Sequence, residues 1–160
     1  MPHDTAALVE ALAAALTARG WMMASAESCT GGLIAGACTD RAGSSDWFER
    51  GFVTYSNAAK SGLLGVPAEL IATHGAVSEP VARAMAAGAV RQAPVQVAVA
   101  VTGVAGPGGG SEAKPVGTVW FGWATPAGVD TECVRFDGDR AAVRQATVAH
   151  ALTGLLQRLR

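Results

Sequence analysis

Charged residues are scarce in this 160-residue chain: they make up 16% of it, and twelve basic residues nearly balance thirteen acidic ones. A disordered chain is excluded, because half of the residues are hydrophobic. The net charge of -1 creates no global positive field, so the sequence predicts no direct binding to nucleic acid. Apolar runs are also short, and no run approaches the roughly 18 residues of a membrane-spanning helix, which predicts that the protein has no membrane partner.

Cysteine is rare as well. Cys29, Cys38 and Cys133 are an odd number at spacings that match no zinc motif, so we expect free thiols and no metal site. The first residues carry acidic side chains and lack the basic start of a signal peptide, which favours a cytoplasmic protein. A chain of this length is expected to form a single domain over residues 1–160.

Helical and strand patterns alternate along the chain. Helical patterns cover Thr5–Arg19, Gly31–Asp40, Ala58–Leu64, Pro67–Thr73, Glu79–Gln92 with Ser78 as N-cap, and Asp139–Leu159. Strand patterns cover Trp21–Ala26, Gly51–Tyr55, Val95–Val101, Val116–Ala124 and Val129–Phe136. The third strand is an unbroken apolar run, typical of a parallel strand buried on both faces, and the last two form a hairpin. This order predicts a three-layer α/β/α sandwich with a mixed, mostly parallel sheet of about five strands.

Ser28 lies where the first predicted strand passes into a helix. A helix N-terminus offers unpaired NH groups and the positive end of a dipole, which would stabilise an oxyanion or a phosphate. Ser28 is therefore a candidate nucleophile, although Ser28 or Thr30 acting only as an N-cap is the alternative. Cys29 is a rival nucleophile, or else a small buried hydrophobic residue.

Lysine occurs only twice, at Lys60 and Lys114, whereas arginine occurs ten times. A desolvated lysine can lose its proton and act as a base, which an arginine cannot do. Lys60 is thus the candidate base for an activated serine, with a solvated helix lysine as the alternative. Tyr55, the only tyrosine, ends a predicted strand and could orient the amine or a substrate.

A glycine-rich loop follows the buried strand, at the end where open α/β sheets bind ligands. This loop, Gly103 to Pro115, has five glycines and two prolines but lacks the Walker and dinucleotide patterns, and a flexible surface loop is the alternative. Arg140 and Arg144 lie one helical turn apart and form either a phosphate clamp or a solvated face. Glu27 is interpreted as a loop carboxylate without an acid–base partner.

Five motifs in one order resemble the CinA C-terminal domain family. They are Ala26–Gly32, Gly43–Ser45 with Trp47–Phe48, Val53–Asn57 with Lys60, Gly75–Ser78, and Thr102–Pro107 continuing through Lys114–Thr118. The resemblance extends from about Leu8 to Leu156. It implies a nicotinamide-nucleotide amidohydrolase, which converts nicotinamide mononucleotide and water to nicotinate mononucleotide and ammonia. No metal or organic cofactor is required for that reaction.

The same resemblance implies roles for individual residues. Ser28 would attack the carboxamide to form an acyl-enzyme, and Lys60 would take the hydroxyl proton and later help protonate the ammonia. Tyr55, Ser45 and Thr102 match site positions of the family and would orient the base or the substrate.

Backbone amides are expected to stabilise the tetrahedral oxyanion, either after Ser28 at Thr30 and Gly31 or in the segment from Gly103 to Gly106. The substrate phosphate would be bound by Arg140 or Arg144. The only partner implied is therefore a small pyridine nucleotide.

Two alternatives to this function stay open. One is a non-enzymatic protein-interaction module related to competence and DNA damage, and the other is a hydrolase of a different amide that uses Cys29. Apolar surface that includes Trp47, Phe48, Trp120 and Trp123 also predicts a homodimer or a higher homo-oligomer.

Overall fold

The computed structural model describes residues 4–160. Its helices are α1 (Thr5–Arg19), α2 (Leu33–Thr39), α3 (Asn57–Leu64), α4 (Ala68–His74), α5 (Glu79–Gln92) and α6 (Arg140–Arg158), with a short 3-10 turn at Ser44–Asp46. The strands are β1 (Met23–Glu27), β2 (Phe48–Val53), β3 (Val97–Gly103), β4 (Thr118–Thr125) and β5 (Gly128–Arg135). Within these residues, no helix is both long and apolar enough to cross a membrane.

The five strands form one sheet in the order β2-β1-β3-β4-β5. Strand β1 pairs in parallel with both β2 and β3, while β4 is antiparallel to β3 and to β5. Four of the five strands therefore point the same way, and only β4 is reversed. The predicted mixed, mostly parallel sheet is confirmed.

Alternating side chains of the sheet build two separate cores. On β3, the valines 97, 99 and 101 pack in the larger core with α1, α2 and α6, whereas the alanines 98 and 100 face the core formed with α3, α4 and α5. Small residues on this second face let α5 approach the sheet closely. A Cβ atom at Gly122 of β4 would lie 2.6 Å from the carbonyl oxygen of Ala82. Helices thus cover both faces, which confirms the α/β/α sandwich.

The bounds of all five strands differ from the prediction by one to three residues, and the differences at β2 and β1 bear on the site. Strand β2 begins at Phe48, which pairs with Met23, rather than at Gly51. Its exposed edge position explains the error, because an edge strand carries polar residues such as Arg50 that weaken the apolar pattern. Strand β1 extends to Glu27, so this carboxylate belongs to the sheet and not to a loop.

Candidate active site

The carboxyl ends of three parallel strands meet at one edge of the sheet. The amide of Ser28 donates to the carbonyl of Val101 at 3.1 Å, and the amide of Thr54 donates to the carbonyl of Glu27 at 2.9 Å. The segments that follow β1, β2 and β3 therefore lie side by side. Ligands bind at this edge in open α/β sheets, because the loops there are free to carry functional groups.

The turn from Ser28 to Gly32 joins β1 to α2. Gly32 holds the N-cap position with a φ of 108°, so neither Ser28 nor Thr30 caps α2 as an N-cap residue. The Thr30 side chain is wholly buried and its hydroxyl donates to Glu27 at 2.6 Å. The whole of Thr30 is 0% exposed, so in this structure its backbone amide, a predicted oxyanion donor, is not open to a ligand.

Lys60 reaches the same edge from α3. Only 2% of the residue is exposed, and its Nζ atom donates to the carbonyl of Thr54 at 3.2 Å. Burial lowers the pKa of Lys60, and the nearby Cys29 acts in the opposite direction with a smaller effect. The alternative of a solvated helix lysine is wrong. Since Thr54 is hydrogen-bonded to the residue before Ser28, the amine lies beside the turn that carries the candidate nucleophile.

Cys29 is 5% exposed and packs in the larger core. Burial raises its pKa to about 11. The thiol is therefore protonated at neutral pH, and because the thiolate is the reactive form, Cys29 is poorly suited to be a nucleophile. The structure favours the interpretation of Cys29 as a small buried hydrophobic residue.

Both arginines of the first turns of α6 are hydrogen-bonded to the site, Arg140 as an exposed residue and Arg144 as a half-buried one. Arg140 donates to the Tyr55 hydroxyl at 2.9 Å and to the carbonyl of Gly106 at 2.8 Å. Arg144 donates to the carbonyls of Cys29 at 3.3 Å and Thr30 at 3.1 Å. These contacts connect α6 to the turn after β1, to the segment after β2 and to the glycine-rich loop.

Space for a ligand lies between the glycine-rich loop and the start of α6. A cavity of about 490 Å³ is bounded there by Ala105, Pro107, Val116 and Arg140, among others. Ligand cavities in proteins typically measure about 300–1,000 Å³. Tyr55, which is 60% exposed, is hydrogen-bonded to Arg140, and a Cβ atom at Gly31 would lie 3.5 Å from a guanidinium nitrogen of Arg144.

Three residues at the end of β3 serve the packing of the loop. The hydroxyl of the buried Thr102 donates to the carbonyl of Ala76 at 2.9 Å, so its side chain ties β3 to the segment before α5. A Cβ atom at Gly103 would lie 2.7 Å from Cγ2 of Val119, and one at Gly106 would overlap Val116. The glycines are thus required by close contacts within the protein, whatever else their amides bind.

Ser45 is the one predicted site residue that lies elsewhere. It is exposed in the 3-10 turn that precedes β2, and β2 starts opposite Met23, the first residue of β1. Because β1 and β2 are parallel, Ser45 lies at the amino edge of the sheet and Ser28 at the carboxyl edge. Within this chain the structure does not bring Ser45 to the other candidates, and the predicted contact is corrected accordingly.

Sequence reasoning interpreted Glu27 as a loop carboxylate and missed its place in this region. A signal was present, because an acidic residue directly precedes a turn with two glycines and a helix, and carboxylates stabilise helix N-termini. Among residues 4–160, no group of three or more His, Cys, Asp or Glu side chains is placed to hold a metal ion.

A family model described as the CinA C-terminal domain matches residues 5–159. The chain belongs to the CinA C-terminal domain family. Its arrangement also agrees with that of a solved CinA-family structure, the competence damage-inducible protein A of Klebsiella pneumoniae, with a TM-score of 0.94 and 41% identity. That comparison covers 98% of this chain and 97% of the Klebsiella chain.

Two curated relatives of this CinA-family chain carry the name nicotinamide-nucleotide amidohydrolase PncC. The Escherichia coli protein is 56% identical over 153 residues, which cover 94% of this chain and 92% of the relative. The Enterobacter agglomerans protein is 59% identical over 146 residues, which cover 90% and 89% of the two chains. The similarity therefore includes nearly the whole of both proteins.

Proposed function

We propose that this chain is a nicotinamide-nucleotide amidohydrolase that converts nicotinamide mononucleotide to nicotinate mononucleotide and ammonia. The names of its two relatives, at 56% and 59% identity, support this activity. The observation that carries the proposal is the burial of Lys60 beside the turn that holds Ser28. A lysine with a lowered pKa can accept the proton that a serine must lose before it attacks a carbonyl carbon.

In the proposed reaction, Oγ of Ser28 bonds to the carboxamide carbon while Lys60 takes the hydroxyl proton. The tetrahedral intermediate collapses as the C–N bond breaks, and Lys60 returns the proton to the departing ammonia. Water then attacks the acyl-enzyme and releases the carboxylate and a free Ser28. Each step balances without an oxidant, a reductant or a cofactor.

The backbone of the Ser28–Gly32 turn supplies the proposed oxyanion donor. The amide of Gly31, an exposed residue, donates to no oxygen within residues 4–160, so it is free to bind a developing negative charge. Removal of one such donor costs about 2.7–4 kcal/mol of transition-state stabilisation in enzymes where it has been measured.

Arg140 and Arg144 are proposed to bind the substrate phosphate beside Tyr55. Each guanidinium has five N–H donors, and the protein uses only two from each. Hydrogen bonds to carbonyls and to the Tyr55 hydroxyl already orient the two guanidinium groups. Little further conformational freedom is therefore lost when an anion binds. Ser45 is not part of this proposed site, because it lies at the opposite edge of the sheet.

The test is an ammonia-release assay with nicotinamide mononucleotide on the wild type and four variants. Ser28→Ala and Lys60→Arg are expected to lose at least ~10³-fold in kcat, because each removes a reacting group. Lys60→Met should do the same, whereas Cys29→Ala should stay within about threefold of the wild type, since a buried thiol takes no part.

Three results would contradict the proposal in different ways. An active Ser28→Ala together with an inactive Cys29→Ala would move the nucleophile to the thiol. A folded wild type that releases no ammonia would reject the activity and favour the protein-interaction module. Near-normal turnover of Lys60→Arg would reduce Lys60 to a fixed positive charge.

A further inference from the structure

Glu27 directly precedes Ser28 and is wholly buried. Its carboxylate accepts hydrogen bonds from residues in the turn and at the start of α2. Oε1 accepts from the Thr30 hydroxyl at 2.6 Å and from the amides of Gly32 at 3.2 Å and Ile34 at 2.8 Å. Oε2 accepts from the amide of Ala35 at 3.0 Å and lies 3.5 Å from the Ser25 hydroxyl. One side chain thus connects β1, the turn and the first residues of α2.

All of the close partners of this carboxylate are donors. Three are backbone amides at the start of α2, which a helix leaves without an acceptor of its own. A carboxylate with two oxygens can accept all of these bonds at once, and charge-assisted bonds are the stronger kind. A glutamine of the same shape would replace one oxygen by an NH₂ group, which would face an N–H or O–H donor.

The turn is also held from the opposite side. Arg144 donates to the carbonyls of Cys29 and Thr30, so α6 binds Thr30, which also binds Glu27, and the residue before it. Gly31 and Gly32 both have positive φ angles, 58° and 108°, a conformation that costs side-chain-bearing residues. Such a turn keeps its shape only when surrounding contacts hold it.

We propose that Glu27 is a positioning residue for Ser28: through its bonds to Thr30 and to the start of α2, it fixes the place of the nucleophile. This inference rests on the proposed function, because it assigns Glu27 a part in the same site. Glu27 does not touch the substrate. Its contribution is to kcat, since a misplacement of the nucleophile by about 1 Å costs roughly 10²-fold in rate.

The experiment compares hydroxyl deletion and conservative replacement at Thr30 with an isosteric change at Glu27. Thr30→Val removes the hydroxyl that donates to Glu27, Thr30→Ser retains it, and Glu27→Gln alters the carboxylate itself. Thr153→Val is the control for loss of a threonine hydroxyl that donates a hydrogen bond, because the Thr153 hydroxyl donates at 2.8 Å to the carbonyl of Ala149 on α6, away from Glu27. Measurements are kcat and KM for ammonia release, and the rate at which a fluorophosphonate labels Ser28, located by mass spectrometry.

We expect Thr30→Val to lower kcat and the labelling rate roughly 10- to 100-fold with KM changed by less than about threefold. Thr30→Ser, which keeps the donated hydrogen bond, should recover most of the loss seen in Thr30→Val, and Thr153→Val should stay within about threefold of the wild type. Glu27→Gln should show at least the loss of Thr30→Val. If Glu27→Gln does not fold, the comparison of Thr30→Val with Thr30→Ser decides.

The inference is overturned if folded Thr30→Val keeps both rates, or if Thr153→Val loses as much as Thr30→Val. It is also overturned if the loss is in KM alone. A wild type that labels at Ser28 but releases no ammonia rejects the proposed substrate, and the labelling rates then decide the role of Glu27. A wild type that does neither overturns both proposals.

Discussion

Two charged side chains are buried among residues 4–160, Glu27 and Lys60, and both border the Ser28 turn. Their surroundings are opposite in character. Glu27 is surrounded by N–H and O–H donors, which suit a carboxylate, whereas the Lys60 amine has a single carbonyl partner and a pKa lowered by burial. An uncompensated buried cation destabilises a fold, so Lys60 is a position where stability is lost in exchange for a reactive amine.

The lowered pKa of Lys60 has a consequence for stability at alkaline pH. The folded protein releases this proton below the ordinary value of 10.5, while the unfolded chain releases it at that value. Between the two, the unfolded state binds more protons, so the contribution of Lys60 to stability rises with pH. Relative to Lys60→Met, the wild type should gain thermal stability as the pH is raised from neutral towards 10.5.

Calorimetric Tm values of the wild type and Lys60→Met over that pH range test this prediction. Lys114→Met is the control for loss of a lysine, and all three proteins contain the same cysteines. A difference in Tm between wild type and Lys60→Met that does not change with pH would contradict the prediction.

At the scale of elements, the position of α5 depends on close backbone contacts. Gly88 of α5 faces the C-terminal end of α3, and a Cβ atom there would overlap the carbonyl oxygen of Leu64. The same carbonyl accepts a hydrogen bond from Arg91 at 3.0 Å, so it has little freedom to move. Since Lys60 lies one turn earlier on α3, the contact also supports the placement of the candidate base.

Gly88→Ala is expected to destabilise the protein by about 1–3 kcal/mol, because the added methyl forces α3 and α5 apart. Gly62→Ala is the matched control: Gly62 also lies in a helix, but nothing lies within 4 Å of its added Cβ. That change should stabilise the protein by about 0.5–1 kcal/mol through the higher helix propensity of alanine. Urea unfolding measures the free energy of unfolding of both variants. Equal effects of the two substitutions would contradict the close contact at Gly88.

At the scale of the whole molecule, the apolar surface is uneven. The exposed large hydrophobic residues come from α2, β2, the segment after β2, and α3, and they are Leu33, Val53, Tyr55 and Leu63. Val53 lies in β2, the outer strand of the parallel half of the sheet, and Tyr55 follows it, while α2 and α3, which carry Leu33 and Leu63, contact β2 from opposite faces. Exposed apolar patches at a free strand edge favour association with another chain.

We therefore expect a homodimer, with a mass by light scattering of twice the 16.1 kDa chain. Val53→Asp should shift the mass towards that of one chain, because it places a charge in the apolar patch. Arg135→Asp changes a charge on β5, the outer strand farthest from β2, and should leave the mass unchanged. A wild type with the mass of a single chain at micromolar concentration would contradict this expectation.

Features that depend on neighbours along the chain were predicted well from the sequence. Helix α1 has the predicted bounds, because its apolar spacing stops at Gly20, whose φ of 65° ends the helix. The apolar run of β3 identified a strand buried on both faces. Edge strand β2 was placed less accurately, because its polar residues hide the alternation that marks a half-buried strand.

The residues of the candidate site show the same difference between local features and features that depend on distant residues. Ser28 was predicted as a site residue from its position between a strand and a helix, and Lys60 was predicted from the scarcity of lysine, which are properties of the sequence alone. The tertiary structure alone decided that Glu27 and Thr30 bind each other, that Cys29 is buried, and that Ser45 lies at the far edge of the sheet. Burial, strand direction and hydrogen-bond partners depend on residues distant in the chain, which no local pattern specifies.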